Sequence, residues 1–139
     1  MNLASGGKPL ATVVLGPDAT APERYAAEQL AVYLGRVTGA EFKTSDNAAV
    51  SGSRIFVGQT AVTKERLDEF DWASPRTDGI LVRTVGNDLV LAGDRPRGSM
   101  YAVYSFLEDR LGVRWWTAGA ETVPSTPELS VGDLNLVLC

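Results

Sequence analysis

The chain has 139 residues, of which 45% are hydrophobic and 22% are charged, a composition typical of a single globular domain. Its formal net charge of −4 argues against nucleic acid as a partner, and no apolar run approaches the length of a membrane span. The chain contains no histidine, which excludes Ser-His or Cys-His nucleophile pairs and histidine zinc sites. Catalysis by this chain alone would have to rest on carboxylates, lysine or tyrosine.

The first elements alternate between strand and helix. Residues 1–10, with the polar stretch "LASGGKP", predict a flexible leader, and residues 11–139 are expected to form one domain. The β-branched run "ATVVL" that follows predicts a buried strand closed by Gly16-Pro17.

A long amphipathic helix is predicted next. Thr20 and Glu23 fit a capping box, Pro22 suits the first turn, and Gly39 suits a left-handed C-terminal cap. One apolar stripe runs along it at helical spacing: Ala26, Leu30, Tyr33, Leu34 and Val37.

The middle of the chain reads as short elements. "EFKT" (41–44) and "RIFVG" (54–58) predict strands, and residues 63–70 predict a short polar helix. The segment "GILVRTVGNDLVLAG" predicts a β-hairpin turning at Gly86-Asn87.

A second long helix is predicted from Arg97 to Leu111, with Gly112 just past its end. Its expected core stripe comprises Met100, Val103, Tyr104, Leu107 and Leu111. Tyr101, Ala102 and Phe106 fall outside that stripe, although Phe106 lies about 60° from Val103 and also fits the margin of the core. This helix is therefore more apolar than packing on one sheet requires.

The two adjacent tryptophans follow in "VRWW", which predicts a last strand. In a strand, Val113 and Trp115 share one face, and Arg114 and Trp116 share the other. Three interpretations of the second indole stay open: burial under the tail, contact with another domain, or stacking on a sugar ring.

The order of elements predicts an α+β sandwich, in which one mixed sheet has two main helices packed chiefly on one face. The sequence stops in the apolar run "LNLVLC", which indicates a domain cut from a longer protein.

Two motifs that could carry chemistry are ambiguous. "GDRPRG" lies where a helix could bind an anion, but it also fits a strand-to-helix turn whose Arg95 and Arg97 form local ion pairs. Glycoside hydrolysis needs two carboxylates about 5–10 Å apart, and the acidic residues here read as solvated surface.

The strings "YAAEQLAVYLGRVTG", "DGILVRTVGNDLVLAGDRPRGSMYAVYSFLEDRLGVRWW" and "TAGAETVPSTPEL" resemble the N-terminal accessory domain of bacterial alpha-glucuronidase-like glycoside hydrolases. That domain is similar to the non-catalytic domain that precedes the barrel in beta-N-acetylhexosaminidases. The resemblance covers residues 11–138, and the string ending in "LGVRWW" is its most specific part. The family more often has proline at the position of Ala118.

The resemblance implies a zincin-like sandwich without a metal site, with no catalytic, metal-binding or cofactor-binding residue of its own. It implies that the domain packs against a downstream (β/α)8 barrel that carries the catalysis, so this chain alone is expected not to be an enzyme. A secreted or periplasmic bacterial parent fits the resemblance, although the sequence leaves localisation open. The expected contact surface, toward another domain or toward sugar, comprises Tyr101, Phe106, Arg114 and Trp116.

The alternative to this accessory role is a carbohydrate-binding module in which Trp116, Tyr101 or Trp72 stacks on sugar. A weaker alternative is an independent enzyme or anion-binding protein that uses "GDRPRG".

Overall fold

The computed structural model describes residues 1–67, 72, 79–117 and 119–138. The helices in this part are α1 (Ala21–Thr38), α2 (Ala61–Arg66) and α3 (Gly98–Leu111). The strands are β1 (Asn2–Ser5), β2 (Lys8–Pro9), β3 (Ala11–Val14), β4 (Thr44–Ser45), β5 (Ser53–Val57), β6 (Ile80–Val85), β7 (Asp88–Gly93), β8 (Arg114–Thr117), β9 (Ala120–Thr122), β10 (Leu129–Ser130) and β11 (Asn135–Leu138). In the described part, no helix combines the length and the apolar character that crossing a membrane requires.

The centre of the molecule is a six-stranded mixed sheet in the order β11-β6-β7-β5-β3-β4. The strands β4, β3, β5 and β7 pair in parallel, whereas β6 is antiparallel to both β7 and β11. The predicted α+β class and mixed sheet are therefore confirmed. The hairpin is confirmed too, because Val85 pairs with Asp88 around a two-residue turn in which Gly86 has a φ of 61°.

Helix α1 has the ends that its sequence predicts. The Thr20 side chain accepts a hydrogen bond from the Glu23 N–H, and the Glu23 carboxylate accepts one from the Thr20 N–H at 2.9 Å. The helix ends at Gly39, whose φ of 77° is the left-handed conformation that glycine adopts without strain. All five residues of the predicted apolar stripe are buried, so this helix is confirmed in its start, end and packing face.

Helix α3 begins one residue later than predicted and ends at Gly112, also left-handed with a φ of 78°. Its first turn approaches the end of β7 closely, because Gly93 and Gly98 lie against each other and against the Gly79 carbonyl. A Cβ on Gly98 would lie 2.5 Å from the Gly79 oxygen. The two glycines of "GDRPRG" therefore permit close backbone packing of a helix on a strand.

The sheet is buried on both faces, and neighbouring residues of one strand enter different clusters. Ile55 and Val57 of β5 join the large core under α1 and α3, whereas Phe56 between them joins a second cluster that includes residues of α2 and Trp72. Phe56 is fully buried, and complete burial of a side chain of this size is worth about 1.5–3 kcal/mol. The two long helices thus cover one face, as predicted, and the short α2 packs toward the other.

The expectation of a flexible leader is wrong. Residues 2–5 form β1, which pairs with β10 on one side and with β2 on the other. Gly6 and Gly7, with φ values of 56° and 78°, form the two-residue turn between β1 and β2. Leu3 and Ala4 are buried in the main core and Met1 packs against it, so the segment is anchored in spite of its polar composition.

Three smaller expectations are corrected. Residues 114–116 of "VRWW" belong to β8, which pairs with β9 in a separate two-stranded sheet, and the last strand of the described part is β11 at the edge of the main sheet. The predicted strand at 41–44 is the two-residue β4. The predicted helix at 63–70 is α2, which begins two residues earlier behind an N-terminal cap by Thr60, and residues 68–70 lie outside the described part.

Candidate functional site

A group of aromatic side chains lies where α1, α3 and β8 meet, at the margin of the main core. We call this group the aromatic surface, and its members are Tyr25, Tyr33, Tyr101, Tyr104 and Trp115. Three of them are among the most exposed large apolar side chains of the described residues, with 48% of Tyr25, 39% of Tyr101 and 37% of Trp115 accessible. Concentration of such side chains at one place is a common property of contact sites.

The rings hold one another in fixed positions. The Trp115 indole makes edge-to-face contacts with Tyr33 and with Tyr104, each with 5.5 Å between ring centroids and interplanar angles of 79° and 76°. The Tyr25 phenol lies near enough to Tyr104 to raise its pKa, and Tyr101 lies one turn before Tyr104 on α3. The aromatic surface is therefore continuous from α1 through α3 to β8.

Polar groups of the surface are paired with one another. The Trp115 Nε1–H donates to the Tyr33 hydroxyl oxygen at 3.1 Å, and that hydroxyl donates to Glu121 Oε2 at 2.6 Å. Arg36 forms an ion pair with the other oxygen of Glu121, and its guanidinium lies 5.1 Å from the centre of the Tyr33 ring. This chain of contacts joins α1 to the β8–β9 hairpin.

These contacts shift the pKa values in directions that keep the chain of hydrogen bonds intact. Burial and donation to Glu121 raise the pKa of Tyr33, and burial together with Tyr25 raises the pKa of Tyr104. The Tyr33 hydrogen bond and the Arg36 guanidinium lower the pKa of Glu121. At neutral pH the tyrosines are protonated and Glu121 is ionised. An exposed carboxylate held ionised in this way is a poor general acid, so the arrangement suits contact better than proton transfer.

The structure distributes the four predicted site residues over different environments. Tyr101 is exposed and belongs to the aromatic surface, with the Arg97 guanidinium 5.9 Å from its ring centre. Phe106 was wrongly expected at the surface, since it is only 1% exposed. Arg114 donates to the main-chain carbonyl of Glu108 in the last turn of α3 and to that of Val113 just after the helix. The side chain of Trp116 lies outside the described part of the chain.

The position of Phe106 has a simple cause. Helix α3 packs against both the sheet and α1, so it buries two adjoining sides and not a single narrow stripe. Phe106 lies beside Val82 and Leu136 at a cavity of about 20 Å³ between α3 and the edge of the sheet. The surplus apolar surface of α3 is thus partly absorbed by the core, and Tyr101 is the part that remains exposed.

Four residues of the site were not among those predicted from the sequence. Tyr25 and Trp115 contribute exposed rings, and Glu121 and Arg36 connect the helix to the hairpin. Trp72, the third candidate for sugar stacking, is half-buried in the second core cluster and donates its Nε1–H to the Leu67 carbonyl at 3.1 Å.

A second polar cluster lies at the carboxyl ends of the parallel strands. Glu23 is 1% exposed, accepts a hydrogen bond from the Gln59 N–H at 3.0 Å and pairs with Arg95 at 3.3 Å. Burial would raise the pKa of Glu23, but the backbone donors at Gln59 and Thr20 and the Arg95 guanidinium outweigh it and lower that pKa. The ion pair with Arg95 supports the interpretation of "GDRPRG" as a strand-to-helix turn with local salt bridges.

Two shallow depressions of the described surface are each lined by one acidic and one basic side chain, Glu41 with Lys43 in the first and Glu41 with Arg36 in the second. One of about 340 Å³ lies between Leu10, Thr12, Lys43 and Ser51, and another of about 420 Å³ lies along the end of α1 beside Val32 and Phe42. Glu41 is the carboxylate that lines both. Among the residues that the structure describes, no group of three or more acidic, cysteine or histidine side chains is placed to hold a metal ion.

Comparison with known proteins gives no match to a protein-family model and none to a curated protein sequence. The fold is nevertheless similar to parts of solved glycoside hydrolase structures. A family GH115 4-O-methyl-alpha-glucuronidase with specificity for decorated arabinogalactans matches 99% of this chain with a TM-score of 0.73 and 20% sequence identity.

Two further solved structures share the fold less closely. A GH138 enzyme targeting pectin rhamnogalacturonan II matches 75% of this chain with a TM-score of 0.53 and 19% identity. The protein CpGH84D matches 71% with a TM-score of 0.50 and 15% identity. The chain spans only 18%, 14% and 17% of the three matched chains. Its fold is therefore one that much longer glycoside hydrolase chains contain as a small part.

Proposed function

We propose that this chain is a non-catalytic accessory domain of an alpha-glucuronidase-like glycoside hydrolase, and that it packs against and supports a downstream (β/α)8 catalytic barrel. The observation that carries the proposal is the match of nearly the whole chain to 18% of a GH115 4-O-methyl-alpha-glucuronidase. The remaining 82% of such a chain is available to carry the catalytic residues. A carbohydrate-active context agrees with all three fold matches.

The electrostatics of three carboxylates that pair with arginines support a structural role for these groups. Glycoside hydrolysis commonly needs a carboxyl group whose pKa is raised, so that it is protonated and can act as the general acid. Here the pKa values of Glu23, Asp88 and Glu121 are lowered, and each of these carboxylates is held by an arginine. These groups serve as fixed hydrogen-bond acceptors within the fold.

The test compares the 139-residue chain with the longer polypeptide encoded by its gene. Both are assayed with aryl glucuronides and with N-acetylhexosaminides. We expect hydrolysis by the longer polypeptide and none by the 139-residue chain. Hydrolysis by the 139-residue chain that is abolished by substitution of one of its own carboxylates, or the absence of any downstream catalytic domain, would overturn the proposal.

A carbohydrate-binding module is the second candidate, and the exposed rings of Tyr101 and Trp115 favour it. Flat aromatic faces stack on pyranose rings, and the GH115 relative acts on decorated arabinogalactans. This candidate predicts saturable calorimetric titration with such oligosaccharides, and loss of that binding in Tyr101→Ala with the fold preserved. Flat titrations across an oligosaccharide panel would eliminate it.

A further inference from the structure

We propose that the aromatic surface is the face on which this domain docks against the neighbouring folded domain of the same polypeptide. The inference rests on the proposed function for the existence of that neighbour, and it adds the place of contact. The docking residues are Tyr25, Tyr101 and Trp115, with Tyr33 and Tyr104 supporting them from behind.

The aromatic surface is already ordered in the isolated domain. Trp115 is held between Tyr33 and Tyr104, and its indole N–H and the Tyr33 hydroxyl are already hydrogen-bonded. Both oxygens of Glu121 are in use as well. A partner that covers these rings would therefore leave few polar groups unpaired and would order few side chains, which lowers the free-energy cost of association.

The β8–β9 hairpin carries Trp115 and Glu121 and is incompletely covered by the rest of the domain. It is a two-stranded sheet, separate from the six-stranded sheet, and all three residues of β9 are exposed. An isolated two-stranded hairpin is marginally stable in water, so the contacts of Tyr33 and Arg36 are what hold this one to α1. In this chain the hairpin is only partly covered, and a neighbouring domain that packed here would complete its burial.

The choice of occupant follows from composition and from chain length. Tyrosine, tryptophan and arginine are the residue types most enriched at the centres of protein interfaces, and they are the types that meet here. A sugar subsite needs free donors and acceptors around the stacking ring, whereas the indole, phenol and carboxylate of this site are used within the domain. Each matched solved chain is several times longer than this one, so the fold recurs with additional polypeptide beside it.

The test is hydrogen exchange by mass spectrometry on the 139-residue chain and on the longer polypeptide. We expect peptides that cover α3 and the β8–β9 hairpin to exchange about tenfold more slowly in the longer polypeptide. The double variant Tyr25→Ser/Tyr101→Ser should remove that protection there, while the melting temperature of the 139-residue chain carrying it changes by no more than about 4 °C. Leu10→Ser is the matched control, because Leu10 has a similar exposure of 41% and lies outside the aromatic surface.

Each other outcome contradicts the inference in a distinct way. Protection that appears on another face, or none at all, would overturn the docking surface and leave the proposed function standing if the longer polypeptide is active. Protection of the same peptides in the 139-residue chain by arabinogalactan oligosaccharides would assign the surface to sugar. Protection there that rises with protein concentration would assign it to a second copy of the chain.

Discussion

The carboxylate of Glu23 accepts a hydrogen bond from the backbone N–H of Gln59 at 3.0 Å, which ties the first turn of α1 to the loop after β5. The same carboxylate accepts from the Thr20 N–H and pairs with Arg95 at the entrance to α3. Gly58 makes room for it, since a Cβ there would lie 2.8 Å from the Glu23 side chain. One buried acidic residue thus joins three segments that meet at the carboxyl ends of the parallel strands.

Replacing Glu23 with alanine should destabilise the protein strongly. The substitution leaves the N–H groups of Thr20 and Gln59 without their acceptor, and losses of this kind cost about 2–4 kcal/mol in total. Urea unfolding followed by circular dichroism would measure the change. Glu28→Ala on the exposed side of α1 is the control and should change the free energy of unfolding by less than about 0.5 kcal/mol. Equal effects of the two substitutions would contradict the role of Glu23.

Stability should depend on acid pH through Glu23 and Asp88. Burial alone would raise the pKa of each carboxyl group. Hydrogen bonds from Gln59, Thr20 and Arg95 outweigh burial and lower the pKa of Glu23. Hydrogen bonds from Arg54 and Arg66 do the same for Asp88. Since the folded-state pKa lies below the unfolded-state value of about 4, this stabilisation is complete above pH 5 and is lost as the pH falls through the folded-state pKa. Urea unfolding between pH 2 and pH 6 should show the free energy of unfolding falling with pH. The double variant Glu23→Gln/Asp88→Asn should reduce the slope of the free energy of unfolding against pH. An unchanged slope would refute the assignment.

Adding a single methyl group at Gly98 should disturb the entrance to α3. The new Cβ would lie 2.5 Å from the Gly79 carbonyl oxygen, so the backbone of the helix or of the strand must shift. Overpacking of this kind costs about 1–3 kcal/mol. Gly132→Ala is the matched control, because a Cβ there meets nothing within 4 Å. The melting temperatures of both variants test the prediction, which is wrong if Gly98→Ala has the melting temperature of the wild type.

Two aromatic residues of α3 should respond very differently to truncation. Phe106→Ala empties a buried position and should cost about 3–5 kcal/mol. Tyr101→Ala removes a ring that is 39% exposed and should cost about 1 kcal/mol or less in the isolated chain. Denaturant midpoints of the two variants measured side by side would test whether the buried side of α3 is placed correctly, and similar midpoints would show that it is not.

The hydrogen bond between Tyr33 and Glu121 should be measurable as a coupling energy. Tyr33→Phe removes the hydroxyl that bridges Trp115 and Glu121, and Glu121→Ala removes the carboxylate that accepts from Tyr33 and pairs with Arg36. In a double-mutant cycle we expect a coupling of about 0.5–1.5 kcal/mol. Additive effects would mean that the hairpin and α1 are not joined through this pair. The parallel cycle of Tyr33→Phe with Glu28→Ala should be additive.

Structural features that depend on a few neighbouring residues were predictable from the sequence. The start of α1 at Thr20, its end at Gly39 and the turn at Gly86 were all predicted, because capping and turn chemistry depend on neighbouring residues. The apolar stripe of α1 was also predicted, since this helix buries one side against a single continuous core.

Contacts between distant segments were not predictable in the same way. Tyr33 and Glu121 are separated by 88 residues, and no local spacing indicates that β9 would reach α1. The burial of Phe106 could not be predicted, because it depends on the contact of α3 with α1 as well as with the sheet. The same holds for the leader, where Leu3 was overlooked because its partner strand β10 lies at the other end of the sequence.

The pairing of β1 with β10 has a consequence for synthesis on the ribosome. The amino group of Met1 bonds the carbonyl of Val131, 130 residues further along, and Leu3 is fully buried beside this contact. A nascent chain made at about 5–20 residues per second carries β1 without its partner for at least several seconds. During that interval Leu3 lacks the strand that covers it in the fold, because β1 can pair with β10 only after residue 130 has been made.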